Sequence, residues 1–113
     1  MNLSDVYMVA TSNFLDTVPE DMDADIRMIA ISEMGRRKNE YGELIPDFVI
    51  FDPVTTERKL EDQGRSLRIP MKNLPGKVYA KLDNYGSPEV LSEQVGHKVQ
   101  MKYVLTFMMA EDY

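Results

Sequence analysis

The sequence predicts a mostly-β domain of about six strands, closed into a barrel or packed as a sandwich, with one short helix. An α+β arrangement is the runner-up. Three observations carry the prediction. Period-two alternation is sustained in "HKVQMKYVLTFMM". Turn signatures at Asp52-Pro53 and Asn73-Leu74-Pro75-Gly76 separate other strand-like runs. Complete helix punctuation occurs in one place, around "SPEVLSEQVG".

Taken in order, the opening segment supports two readings. Leu3, Tyr7, Ala10, Phe14 and Val18 share a helical face, but Thr11-Ser12-Asn13 is poor helix material, which favours a strand over Val6–Ala10. "DIRMIAIS" is expected as a strand, with Ile26, Met28 and Ala30 opposite Arg27, Ile29 and Ile31. The loop "EMGRRKNEYGEL" would join it to a strand at Phe48–Phe51. Asp52 and Pro53 begin a turn, because the Asp side chain bonds the backbone ahead and Pro presets φ; Thr56–Leu60 is then the return strand of a hairpin. A second hairpin pairs Leu67–Met71 with Lys77–Leu82 across "NLPG". Ser87 caps the short helix, Pro88 fits its first turn and Gly96 ends it. In the last strand Val99, Met101, Tyr103, Leu105 and Phe107 fall on one face, with Gln100, Lys102 and Thr106 on the other.

Composition bounds the function. The chain has 113 residues, 43% of them hydrophobic and 28% charged, which suits a single folded domain over residues 1–113 rather than a disordered tail. No apolar run approaches the roughly 20 residues of a membrane span, and the N-terminal stretch lacks a basic leader, so a cytoplasmic protein without membrane attachment is expected. The absence of cysteine removes disulfides, thiolate metal sites and cysteine nucleophiles. Net charge is −6, which repels phosphate backbones unless a basic face is built locally. The nine methionines are read as flexible core filler rather than an adaptable binding surface, since most fall inside strand patterns.

Catalysis finds little support, and although two acidic residues could meet for acid–base work, nothing in the sequence nominates which two. His97 is the only histidine, and no acyl-transfer triad can be assembled without a positioned base. The six glycines are single and dispersed, so no phosphate-cradling loop is present. "PEDMDADIRM" places carboxylates at Asp21, Asp23 and Asp25, as calcium loops begin. Counted from Asp21, however, position six is Ile26 and position twelve is Ser32, where an EF-hand needs glycine and a bidentate glutamate. No metal and no cofactor are therefore expected, and the chain is not expected to be an enzyme.

Two binding functions remain. The first is a protein–protein module, an inhibitor, adaptor or assembly subunit, contacting its partner through the acidic patch Glu20, Asp21, Asp23 and Asp25. The expectation extends to a phage or mobile-element origin, which no residue specifies. The second is single-stranded nucleic-acid binding on a small OB-like barrel. Its face would comprise Arg36, Arg37, Lys38 and Tyr41 in one loop, with Arg65, Arg68, Lys72, Lys77, Tyr79, Lys81 and Tyr85 along the second hairpin. The closing "MMAEDY" resembles the acidic, aromatic-closed tails of many single-strand-binding proteins over those few residues, but lacks their long acidic run and identifies no family. A homo-oligomer is expected through Val99–Met108, if that apolar strand is left bare at a sheet edge.

Overall fold

The computed structural model covers residues 1–113, and the last strand of the chain lies inside its main sheet. The strands are β1 (Val6–Ala10), β2 (Arg37–Lys38), β3 (Leu44–Ile45), β4 (Phe48–Asp52), β5 (Lys59–Glu61), β6 (Ser66–Pro70), β7 (Val78–Asn84) and β8 (Tyr103–Met109). The helices are α1 (Ser12–Thr17), α2 (Glu20–Glu33) and α3 (Pro88–Val95). Six strands form one mixed sheet in the order β1-β8-β7-β4-β6-β5, and β2 pairs with β3 in a separate ribbon. The sheet stays open, so the expected barrel or sandwich is not formed, and the class is α+β.

The largest departure from expectation is α2, which replaces the strand expected at "DIRMIAIS". Both faces of that stretch are apolar, so alternation does not discriminate, whereas helical spacing puts Ile26, Ala30 and Met34 on one stripe. All three are buried, while Met28, which a strand would have grouped with Ile26 and Ala30, is 71% exposed. Glu20, Asp21 and Asp23 in the first turn sit at the positive end of the helix dipole. The neighbouring ambiguity divides in two: Val6–Ala10 is a strand, and Thr11 caps α1 by accepting a hydrogen bond from the Phe14 N–H.

β8 lies inside the sheet, parallel to β1 and antiparallel to β7. Association through a bare Val99–Met108 edge is thereby overturned, because both sides of β8 are already paired. The strand is also shorter than its sequence pattern. Val99 is held against α3, its N–H donating to Ser92 Oγ at 2.9 Å, so the chain joins the sheet only at Tyr103.

Neither expected hairpin forms, although the strands exist. β4 pairs with β6 in parallel and with β7 antiparallel, so β6 and β7 flank β4 instead of each other. The "NLPG" link therefore passes over the end of β4, and Leu74 anchors it by packing into the core. β5 does not return against β4. It pairs antiparallel to β6 at the edge, providing the reverse leg that lets β6 run parallel to β4. The expected helix α3 is present with its punctuation: Ser87 Oγ accepts from the Val90 N–H at 3.2 Å, and Gly96 takes a φ of +80°.

The register sorts side chains onto two faces. Met8 and Ala10, then Leu105, Phe107 and Met109, then Val78, Ala80 and Leu82, then Val49 and Phe51, then Leu67 and Ile69 point to one side. There they meet Phe14 and Val18 around α1 and Ile26, Ala30, Ile31 and Met34 around α2, in one core cluster. Arg27 of α2 packs against its margin, its guanidinium 5.1 Å from the Phe107 ring centroid and 5.7 Å from that of Phe14, and ion-paired to Asp23. No helix is long and apolar enough to cross a membrane.

Candidate functional site

The opposite face of the sheet has no helix packed across its centre. Two rows of cross-strand neighbours define it. One runs Glu61, Ser66, Phe48, Lys81, Thr106 and Val9; the next runs Lys59, Arg68, Ile50, Tyr79 and Met108. Strand alternation sends these side chains away from the core. Phe48 and Tyr79 meet edge to face, with ring centroids 5.1 Å apart. The short 3₁₀ turn at Ala110–Asp112 brings Tyr113 back over them, 5.5 Å from Phe48 and 5.6 Å from Tyr79. Thr11 Oγ1 donates to Asp112 Oδ2 at 3.0 Å and Asn13 Nδ2 to Glu111 Oε1 at 2.7 Å, which fixes that turn.

Paired charges surround the aromatic group. Arg68 bridges Asp52 at 2.7 Å and Glu61 at 2.8 Å. Asp52 is only 4% exposed, and its carboxyl is held below the usual carboxylate range by the Val54 N–H and by Arg68, against the opposing effect of burial. Glu61 is lowered in the same way, chiefly by the Arg68 hydrogen bond. Arg65 pairs with Asp47 and, at 3.3 Å, with Glu43; Asp47 raises the guanidinium's proton affinity. Lys81 donates to Asp83 at 2.9 Å and is raised by that bond. A hollow of about 440 Å³ opens between the aromatics and this rim, lined by Phe48, Tyr79 and Tyr113 with Asp47, Arg65, Ser66 and Lys81. A second, of about 460 Å³, lies across the Asp47–Arg65 pair, with Tyr41, Glu43, Asp83 and Tyr103 on its walls.

The residues proposed for nucleic-acid recognition are only partly brought together. Arg68, Tyr79 and Lys81 lie on the open face and Arg65 on its rim. Arg37 and Lys38 are exposed on the β2–β3 ribbon, Arg36 precedes it and pairs with Glu33, and Tyr41 tops its turn. Lys72 and Lys77 sit in the link over β4, and Tyr85 follows β7. One continuous basic hairpin face is therefore not formed. The acidic patch is also divided. On a helix turning about 100° per residue, Asp21 and Asp25 share the outer side with Met28, while Asp23 turns inward to Arg27 and Glu20 lies to one flank. The single acidic face expected of an extended chain is lost with the strand.

Sequence reading passed over Phe48, Ile50, Met108 and Tyr113 as parts of the open face. The run Phe48–Phe51 is apolar at every position, so it carries no alternation from which a face could be chosen. The signal in reach was Asp52, two residues beyond Ile50 and on the same face. No group of three or more His, Asp or Glu side chains is placed to hold a metal ion, and every buried side-chain nitrogen and oxygen has a hydrogen-bond partner. Comparison with protein-family models, with curated proteins and with solved structures finds no match to this chain.

Proposed function

We propose that this chain is a non-enzymatic binding protein, an inhibitor, adaptor or assembly subunit, and that the open face of its sheet receives a protein partner. The observation that carries the reading is the Phe48–Tyr79–Tyr113 group at the centre of that face, inside a ring of ion-paired side chains. Protein interfaces favour this arrangement: aromatic and arginine anchors are desolvated at the middle, and a polar rim excludes water. The aromatic edges are prearranged, so little side-chain freedom is lost on contact. Asp21 and Asp25 lie on the outer side of α2, beyond the other face of the sheet, so they act through the net charge of −6, which favours a basic partner over an acidic one.

Single-stranded nucleic acid on the same face is the second reading, favoured by three rings beside Arg65, Arg68 and Lys81. It is placed second because each of those cations already neutralises a carboxylate, which a phosphate would have to displace.

Affinity purification from the source cell, with the wild type and the Tyr79→Ala/Tyr113→Ala variant run side by side, tests the first reading. The expected result is a stoichiometric complex retained by the wild type and weakened about tenfold or more in the variant. Equal recovery by both removes the open face from the account. Titration of labelled single-stranded DNA and RNA at low salt tests the second, which predicts affinity that falls steeply as salt is added.

A further inference from the structure

The geometry points to β1 as a self-association strand, pairing antiparallel with β1 of a second copy of this chain about a two-fold axis at Val9. This edge is separate from the open-face reading and does not rest on it. The sheet has two edges, and they differ in chemistry. β5 is three residues long and carries Lys59 and Glu61, the short charged kind of edge that discourages pairing. β1 is five residues, Val-Tyr-Met-Val-Ala, with no charge and no proline. It belongs to the longest uncharged stretch of the chain, the ten residues from Val6 to Leu15.

The hydrogen-bond alternation shows which groups are free. Thr11 N–H donates to the Phe107 carbonyl at 3.0 Å, so Tyr7 and Val9 turn their backbone groups to β8, while Met8 and Ala10 turn theirs outward. Val6, also turned outward, is closed off at 3% exposure, so pairing is available from Met8 onward. A two-fold axis at Val9 sets Met8 of one copy against Ala10 of the other, twice. It thus satisfies the N–H and C=O groups of both residues in both copies. It also suits the side chains: large Met8 lies opposite small Ala10, and Val9, 39% exposed, meets its own copy at the close non-hydrogen-bonded position. A second copy is the occupant because Met8-Val9-Ala10 is complementary to itself in this antiparallel register, and the strand is neutral, so the net charge of −6 that sets copies apart puts no like charges on the axis.

Sedimentation velocity on the full chain over a concentration series tests this, with Val9→Lys, Val9→Asp and their equimolar mixture. The expected result is a monomer–dimer equilibrium for the wild type, weakened about tenfold or more in either single variant, since like charges then meet on the axis. The mixture is expected to recover the dimer as a Lys–Asp heteropair, a rescue that a merely unfolded variant cannot give. A wild type that stays monomeric up to about 1 mM overturns the inference, because affinity weaker than that leaves no specific dimer. Dimers that persist in both single variants, or single variants that remain monomeric when mixed, overturn it equally.

Discussion

On β7, Val78, Ala80 and Leu82 turn toward α1 and α2, while Tyr79, Lys81 and Asp83 turn the other way. The same contrast runs across the sheet, and the two faces hold their contents by different means. Under the helices the side chains are almost wholly apolar, and burial supplies the stability at roughly 25 cal/mol per Å² removed from water. On the open face, aromatic edges and ion pairs hold one another in place, and the solvent-exposed pairs among them add little stability. Ile50 and Met108 on this face are buried as well, at 7% and 8% exposure, so what it presents to solvent is the aromatic and charged side chains around them. The ordered but partly exposed aromatics suit the binding surface proposed above.

Four variants test this contrast. Phe107→Ala, beneath α1 and against Phe14 and Arg27, should lower stability by about 3–5 kcal/mol in denaturant unfolding, as a fully buried aromatic does. Asp52→Ala should cost about 1–3 kcal/mol by the same measurement, because Arg68 and the Val54 N–H lose a buried acceptor. Tyr79→Ala should cost only about 1 kcal/mol, while abolishing most of the partner binding proposed above. Asp21→Asn with Asp25→Asn should stay within about 0.5 kcal/mol, changing the association rate and its salt dependence rather than the fold. A Tyr79 variant as destabilised as the Phe107 variant would erase the distinction between the faces.

The open-face pairs also set a pH dependence. The folded-state proton affinities of Asp52 and Glu61 are depressed, so their contribution is complete above the unfolded carboxylate range near pH 4. It is lost as pH falls through their lower folded values. Thermal melts should show stability declining below about pH 4, and Asp52→Asn should flatten that decline.

What could be read from the residues depended on whether a pattern was local. Ser87, Pro88 and Gly96 marked α3 with three neighbouring signals, and β8 displayed its alternation without help from elsewhere. α2 was hidden because "DIRMIAIS" is apolar on both strand faces, and only the burial of Ile26, Ala30 and Met34 beneath a helix resolves it. Strand pairing was hidden for another reason: "DP" and "NLPG" mark turns, but no turn residue states which strand lies next. β5 and β6 were therefore misassigned to hairpins, although their positions in the chain were close to right. Of the candidate site, Arg68, Tyr79 and Lys81 were legible from spacing along β6 and β7. Phe48 and Tyr113 were not, since tertiary contact across 65 residues brings them together.

The most direct measurement is tyrosine footprinting by hydroxyl-radical oxidation, in the free chain and in the complex purified from the source cell. Tyr79 and Tyr113 are expected to react when free and to be protected in the complex, while Tyr41 and Tyr85 react equally in both. Unchanged reactivity of Tyr79 and Tyr113 in the complex would rule out the open face as the partner's site.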